Sequence, residues 1–224
     1  MNIEVDGRNW VRIPVKTHLI TCDDDIAEVI QRYAASVQQP GDWISVSEKV
    51  VAVTQGRAIR ESEMKIGLLA RILWRFVAKV PYGTGLRRPS SMQCAINECG
   101  SLRILFAAAV GAFGKLIGRK GDFYRIAGMQ AATIDAAGTS PLQPDCVIMG
   151  PKDPAQVAER VKAASGLEAA VMDINDIGGS WCLGATPGID KELIQKIMKD
   201  NPCGQTDEQT PFALIRQAPD EPDA

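Results

Sequence analysis

Two hydrophobic periods share this chain without alternating regularly, and that mixture most narrows what it can fold into. The segment WVRIPVKTHLIT places Val11, Ile13 and Val15 on one side, as a half-buried strand does. In DDDIAEVIQRYAASVQ, Ile26, Val29, Ile30, Tyr33, Ala34 and Val37 recur at helical spacing, with Asp23 or Asp24 as the expected N-cap and Pro40-Gly41-Asp42 as the stop. WISVSEKVVAVTQGR is rich in β-branched residues and reads as one long strand. MKIGLLARILWRFVAK predicts a helix, followed by a loop over VPYGTGLRRPSS.

The second half is more legible. CVIMG reads as a buried strand. PKDPAQVAERVKAASG reads as a helix with Asp153 at the N-cap, Pro154 at the first helical position and Gly166 after the last turn. EAAVMDIND is a strand ending in acids and amides, IDKELIQKIMK is helix-like, and PFALIR is strand-like. Irregular alternation of this kind predicts an α+β fold, with mixed sheets and packed helices, over a doubly wound sheet.

Composition excludes several classes. A formal net charge of −2 argues against a general nucleic-acid binder. The most apolar run, Leu105 to Gly118, is too short to span a bilayer and contains Lys115, so it predicts a buried helix and no membrane span. Gly111, Gly114 and Gly118 would leave that helix one small face, suited to close packing within or between chains. The six cysteines show no CxxC spacing and the chain has one histidine, which disfavours a zinc site. No basic segment with an apolar core opens the chain, so the expectation is a cytoplasmic protein with reduced thiols. Residues 217–224, QAPDEPDA, read as a disordered acidic tail.

Familiar motifs fail. GAFGKLIG lacks a P-loop's first glycine and closing Ser or Thr, and YGTGLRR has Arg88 at the third glycine position of a dinucleotide fingerprint. His18 has no nucleophile partner implied by the sequence. Three places do put oxygen ligands after apolar runs: Asp135 after GMQAATI; Asp173, Asn175 and Asp176 after EAAVM; and Gln205, Asp207 and Glu208 within DNPCGQTDEQTP. Carboxylate and amide oxygens suit Mg²⁺ or Mn²⁺. Acids at strand ends also serve as caps and turn formers. The last segment is long for a connector, whose usual length is about four to six residues.

Five blocks in order carry a resemblance: THLITCDDDIAEVI, GDWISVSEKVVAVTQGR, AATID with GPKDPAQVA, VMDINDIGGSW, and GQTDEQTPFALIR. Together, over roughly Val11 to Arg216, the chain resembles the gamma-glutamyl ligase family of the deazaflavin coenzyme F-420. The resemblance implies one ligase-like domain over 1–216, or two interlocked α/β subdomains within it. It also implies a homodimer and a GTP-dependent enzyme using Mg²⁺ or Mn²⁺ to join L-glutamate, or another amino acid, to a small-molecule acid through an acyl phosphate. It places metal on Asp135, Asn175, Asp176 and Gln205. Nucleotide, GTP or another triphosphate, falls to Thr17, His18, Leu19, Ile20 and Ser47, and to the loop of Cys203, Gly204, Gln205, Thr206, Asp207, Glu208, Gln209 and Thr210.

The chain departs from the family pattern at Glu48, where a serine is expected with Ser47 next door, at Val53 for a lysine, at Gly138 for an asparagine and at Gly179 for an arginine. The alternative is therefore a non-enzymatic, small-molecule-binding or regulatory protein that keeps the fold and has lost the triphosphate site.

Overall fold

In chain order the elements are β1 (Asn2–Val5), β2 (Arg8–Val15), α1 (Ile26–Ala34), β3 (Trp43–Ser47), α2 (Glu48–Thr54), β4 (Ala58–Arg60), α3 (Leu68–Leu73), α4 (Pro89–Cys99), α5 (Ser101–Leu116), α6 (Asp122–Ala127), α7 (Met129–Ala132), β5 (Cys146–Ile148), α8 (Pro154–Ser165), β6 (Glu168–Asn175), β7 (Gly179–Ala185), α9 (Lys191–Ile197) and β8 (Phe212–Gln217). They come from a computed structural model, which describes residues 1–77, 85–119, 121–175, 179–204 and 206–218. The fold is α+β, and the chain divides into two compact units: Met1–Gln55 with Pro151–Ala224, and Gly56–Gly150.

The first unit is built on a mixed six-stranded sheet of order β1-β2-β8-β3-β6-β7, with only β3 and β6 parallel. Period-two alternation sorts its side chains. Phe212 and Leu214 of β8 and Ala169 and Val171 of β6 join one core with Ile26, Val29 and Ile30 of α1 and Val157, Ala158 and Val161 of α8. Ala213, Ile215, Ala170 and Met172 face the other way, against Ile194, Ile197 and Met198 on and beside α9. Gly184 lets β7 approach the first turn of α8, because a Cβ there would come within 2.2 Å of the Ala155 nitrogen. β1 and β2 form a hairpin over Asp6-Gly7, both at positive φ, which is the favoured chemistry for a two-residue hairpin turn.

Local signals explain several helix ends. Asp25, one residue past the two expected caps, accepts from the Ala27 and Glu28 amides and starts α1. Asp24 instead accepts from the Thr21 amide, bracing the turn before the helix. Asp153 does stand at the N-cap of α8, but in a left-handed conformation with no capping bond from its side chain. Gly166, at φ +78, closes that helix by donating to Lys162.

The expected long strand over 43–57 is overturned. It is β3 only to Ser47, and Glu48–Thr54 is a helix, α2, with Val51, Ala52 and Val53 buried. The expected helix over 64–79 is shorter: Leu68–Leu73, followed by a single 3₁₀ turn at Trp74–Phe76. Residues 78–84, which include part of the expected loop, lie outside the described residues, and the Pro-Ser-Ser end of that loop is the first turn of α4.

In the second unit, β4 and β5 pair antiparallel and α3–α7 pack around Leu86, Met92, Ile104, Ala131 and Val147. Arg57 is buried, its Nε donating to the Gly150 carbonyl at 2.6 Å and its Nη2 to Glu98 at 2.8 Å. The apolar run 105–118 is helical as far as Leu116, but it is not buried as expected: Leu105, Phe106, Phe113, Leu116 and Ile117 are exposed. Its small face is used within the chain. A Cβ on Gly111 would lie 3.0 Å from the Phe123 Cβ, and one on Gly114 would lie 2.2 Å from an Asp122 carboxylate oxygen. Among the described residues no single helix is long and apolar enough to cross a bilayer; α4 and α5 together pass on length and composition but are bent by 117°. All six cysteines are free thiols.

Candidate functional site

The sheet of the first unit gathers much of the expected site at one edge. Val15 and Val46 both pair with Phe212, and Ser47 pairs with Met172. The carboxyl ends of β2, β3 and β6 and the start of β8 therefore emerge on the same side. From there run Thr17–Ile20, the Ser47–Glu48 corner, Asp173–Asn175 and the loop that precedes β8. Carboxyl strand ends are where open sheets with helical connections commonly take ligands.

Backbone bonds tie these pieces together. The Thr17 amide donates to the Gln209 carbonyl at 2.9 Å, and the Ser47 amide to the Pro211 carbonyl at 2.9 Å. Thr17 is buried, with its hydroxyl on the His18 carbonyl. The partly exposed His18 ring stands between the Tyr33 hydroxyl, 3.0 Å from Nδ1, and Asp24, 2.9 Å from Nε2. The Asp24 carboxyl is held below its usual range by the Thr21 amide first and by His18 second. Leu19 is exposed, and Ile20 is buried in the α1 side of the core.

The loop owes its shape to left-handed residues: Asn201 at φ +49, Gly204 at +74 and Gln209 at +56. The Glu208 carboxylate turns back to accept from the Thr206 amide at 2.8 Å and the Thr206 hydroxyl at 2.6 Å, and that hydroxyl is the main reason its pKa is lowered. Thr206 also approaches Asp207, at 3.5 Å. The Thr210 hydroxyl donates to the Cys203 carbonyl and closes the base of the loop. The Cys203 thiol is packed toward α9, and burial pushes it up to about 12, so it is an apolar anchor and not a nucleophile. Gln205 lies outside the described residues.

At the end of β6, the Asn175 side-chain carbonyl accepts from the amide of Gly179, the first residue of β7, at 3.0 Å. A Cβ on Gly179 would come within 2.3 Å of the Trp181 ring and 2.7 Å of the Asn175 amide nitrogen, so a larger residue here would displace one of those side chains. Asp176 lies outside the described residues. Asp135 is in the second unit, where it exchanges backbone bonds with Ile148 at 2.8 and 3.0 Å and is half-buried. Gly138, three residues on, holds φ +88 in a turn. Asparagine is among the few residues that tolerate positive φ, so glycine here keeps the backbone and loses only the amide. Among the described residues no group of three or more His, Cys, Asp or Glu side chains is arranged to hold a metal ion.

The chain matches the family model described as F420-0:Gamma-glutamyl ligase over residues 14–188. It belongs to that family. The matched span includes Thr17–Ile20, Ser47, Asp135, Asn175 and Asp176 and stops before Cys203–Thr210. No curated protein sequence matches the chain. In this gamma-glutamyl ligase relative, the helix α2 changes the meaning of one departure. Val53 is buried where a lysine was expected, but Lys49 stands one helical turn earlier and is half-buried. The i, i+4 spacing that relates the two appears only once 48–54 is read as a helix.

Proposed function

We propose that this chain is a metal- and nucleotide-dependent ligase that forms an amide bond between a small-molecule carboxylate and an amino acid such as L-glutamate. The observation that carries the reading is the convergence of Thr17 and Ser47 on the 203–211 loop at one sheet edge, in a chain that belongs to a gamma-glutamyl ligase family. Thr17, His18, Leu19, Ile20, Ser47 and Cys203–Thr210 form the nucleotide site, with GTP as the expected triphosphate and Lys49 as a point charge for its phosphates.

Asp135, Asn175, Asp176 and Gln205 are the metal residues by family resemblance, and their hard oxygen donors suit Mg²⁺ or Mn²⁺. A divalent ion there would offset charge on the transferring phosphoryl group. The substrate carboxylate attacks the γ-phosphorus and releases the nucleoside diphosphate. The amine of the amino acid then attacks the acyl phosphate, inorganic phosphate leaves, and the amide nitrogen gives up a proton to solvent. The protein acts as a cytoplasmic homodimer whose ligase domain covers 1–216.

A second reading, a binding or regulatory protein on the same fold, is favoured by the buried Val53 and by the commitment of Asn175 to Gly179. One experiment separates the two. Incubation with GTP, Mn²⁺, L-glutamate and the deazaflavin precursor acid, read by mass spectrometry, yields an adduct one glutamyl residue heavier together with phosphate. Ligand-dependent stabilisation without phosphate release from any acid and amine pair favours the binding protein.

A further inference from the structure

The outer face of α5 is an exposed apolar stripe. Leu102, Leu105, Phe106, Phe113, Leu116 and Ile117 are each between 42% and 85% exposed. Ala109 and Ala112, also exposed, complete the same side of the helix. These six large side chains leave on the order of 700 Å² in water, more than the roughly 300–600 Å² of the largest patch on an ordinary monomer. That area is close to the ~800 Å² each partner contributes to a standard protein interface.

The stripe is also self-complementary. Phe106 and Phe113 are equidistant from the midpoint between Ala109 and Val110, and so are Leu102 and Ile117. A second α5 laid antiparallel over the first would therefore set Phe106 against Phe113 and Leu102 against Ile117, with the small Ala109 at the crossing. Small residues at a crossing let helix backbones approach, and flanking large ones fill the space beside it.

Two of the cations beside the stripe are held back from it, while Lys115 on α5 is exposed. Arg103 donates through Nε to the Ile126 carbonyl at 2.8 Å, and Arg119 bonds to Asp122 at 3.2 Å, so both are drawn back toward α6. We propose that the outer face of α5 is the surface through which two copies of this chain pair, antiparallel, about a two-fold axis near Ala109. This rests on the homodimer reading above and assigns it a face.

The test uses the full chain in sedimentation equilibrium, beside Phe113→Glu. Phe113 is exposed, so the variant keeps its fold, checked by circular dichroism. The expected result is a dimer of the 24.2 kDa chain and at least a tenfold weaker association in the variant. The register is tested in a Cys22→Ser background, which removes the exposed native thiol. There Ala109→Cys crosslinks to itself under mild oxidation, Phe106→Cys crosslinks with Phe113→Cys, and Glu63→Cys does neither. A dimer untouched by Phe113→Glu and not captured through Ala109→Cys keeps the homodimer and overturns the α5 face. A chain monomeric at every concentration overturns both. A monomer that sediments with phosphatidylserine vesicles overturns the proposal in favour of a lipid surface.

Discussion

The Thr17 amide donates to the Gln209 carbonyl at 2.9 Å, and Gln209 makes that bond from a left-handed backbone at φ +56. The segment after β2 is thus held to the 203–211 loop by a residue whose conformation an L side chain adopts at a cost. Gln209→Gly removes that steric cost while adding unfolded-chain entropy, and stays within about 1 kcal/mol of the parent. Gln209→Val, β-branched at positive φ, loses about 1–2 kcal/mol in urea unfolding. Equal stabilities for the two variants would show that this turn is not the constraint described.

Gly204 is the tighter test of the loop. Alanine there meets both the φ of +74 and a Cβ contact of 2.5 Å to the Glu208 carboxyl carbon. Glu208 must move and release Thr206. Gly204→Ala is expected to cost about 1–2 kcal/mol and to reduce stabilisation by GTP with Mn²⁺ at least fivefold in apparent affinity. A variant that loses stability and keeps its nucleotide response would place the ligand elsewhere.

Glu208 also predicts a pH dependence. Its folded pKa is held below the usual glutamate range, with the Thr206 hydroxyl as first cause. A depressed carboxylate contributes order that is present above its unfolded pKa and is lost as pH falls through the folded value. Amide exchange in the loop, at Thr206 above all, should lose protection in the parent only on the acid side of the usual glutamate range. In Glu208→Gln that acid-side step should be absent.

On β2, Arg12 is buried and its guanidinium reaches Asp200 and, at 3.1 Å, the Ile197 carbonyl at the end of α9. Arg12→Ala removes the tie between β2 and α9. Because Asp200 is half-exposed, the expected loss is about 2–3 kcal/mol, below the range for a fully buried pair. A loss under about 1 kcal/mol in chemical denaturation would mean that α9 is held by its apolar contacts and by the Gln195 and Lys196 bonds, without need of Arg12.

Much of this was legible from patterns of residues, and the failures have physical causes. Helix α8 and strands β6 and β8 follow from Pro154, Gly166 and clean apolar runs. α2 was hidden because WISVS and EKVVAVT share β-branched residues; tertiary burial of Val51 and Val53 overrode propensity at the Ser47–Glu48 corner. The β1–β2 hairpin went unread, although Asp6-Gly7 has the chemistry of a two-residue hairpin turn. The apolar run of α5 implied burial by composition, and that expectation fails on its outer face, because composition does not say how much of a helix the core covers. For the site, the residues around Thr17, Ser47 and the loop are distant in sequence, and only the strand order β2-β8-β3-β6 explains why they meet.

The central claim is that this sheet edge holds a nucleoside triphosphate with a divalent ion. Its most direct measurement is the free energy of unfolding of the full chain as GTP is titrated in the presence of Mn²⁺. Binding predicts a rise that grows as the logarithm of ligand concentration and reaches about 2.7 kcal/mol at a hundredfold excess over Kd. The rise should depend on the metal and be weakened in Gly204→Ala. Stability unchanged by GTP or ATP, with either Mn²⁺ or Mg²⁺, would contradict the account.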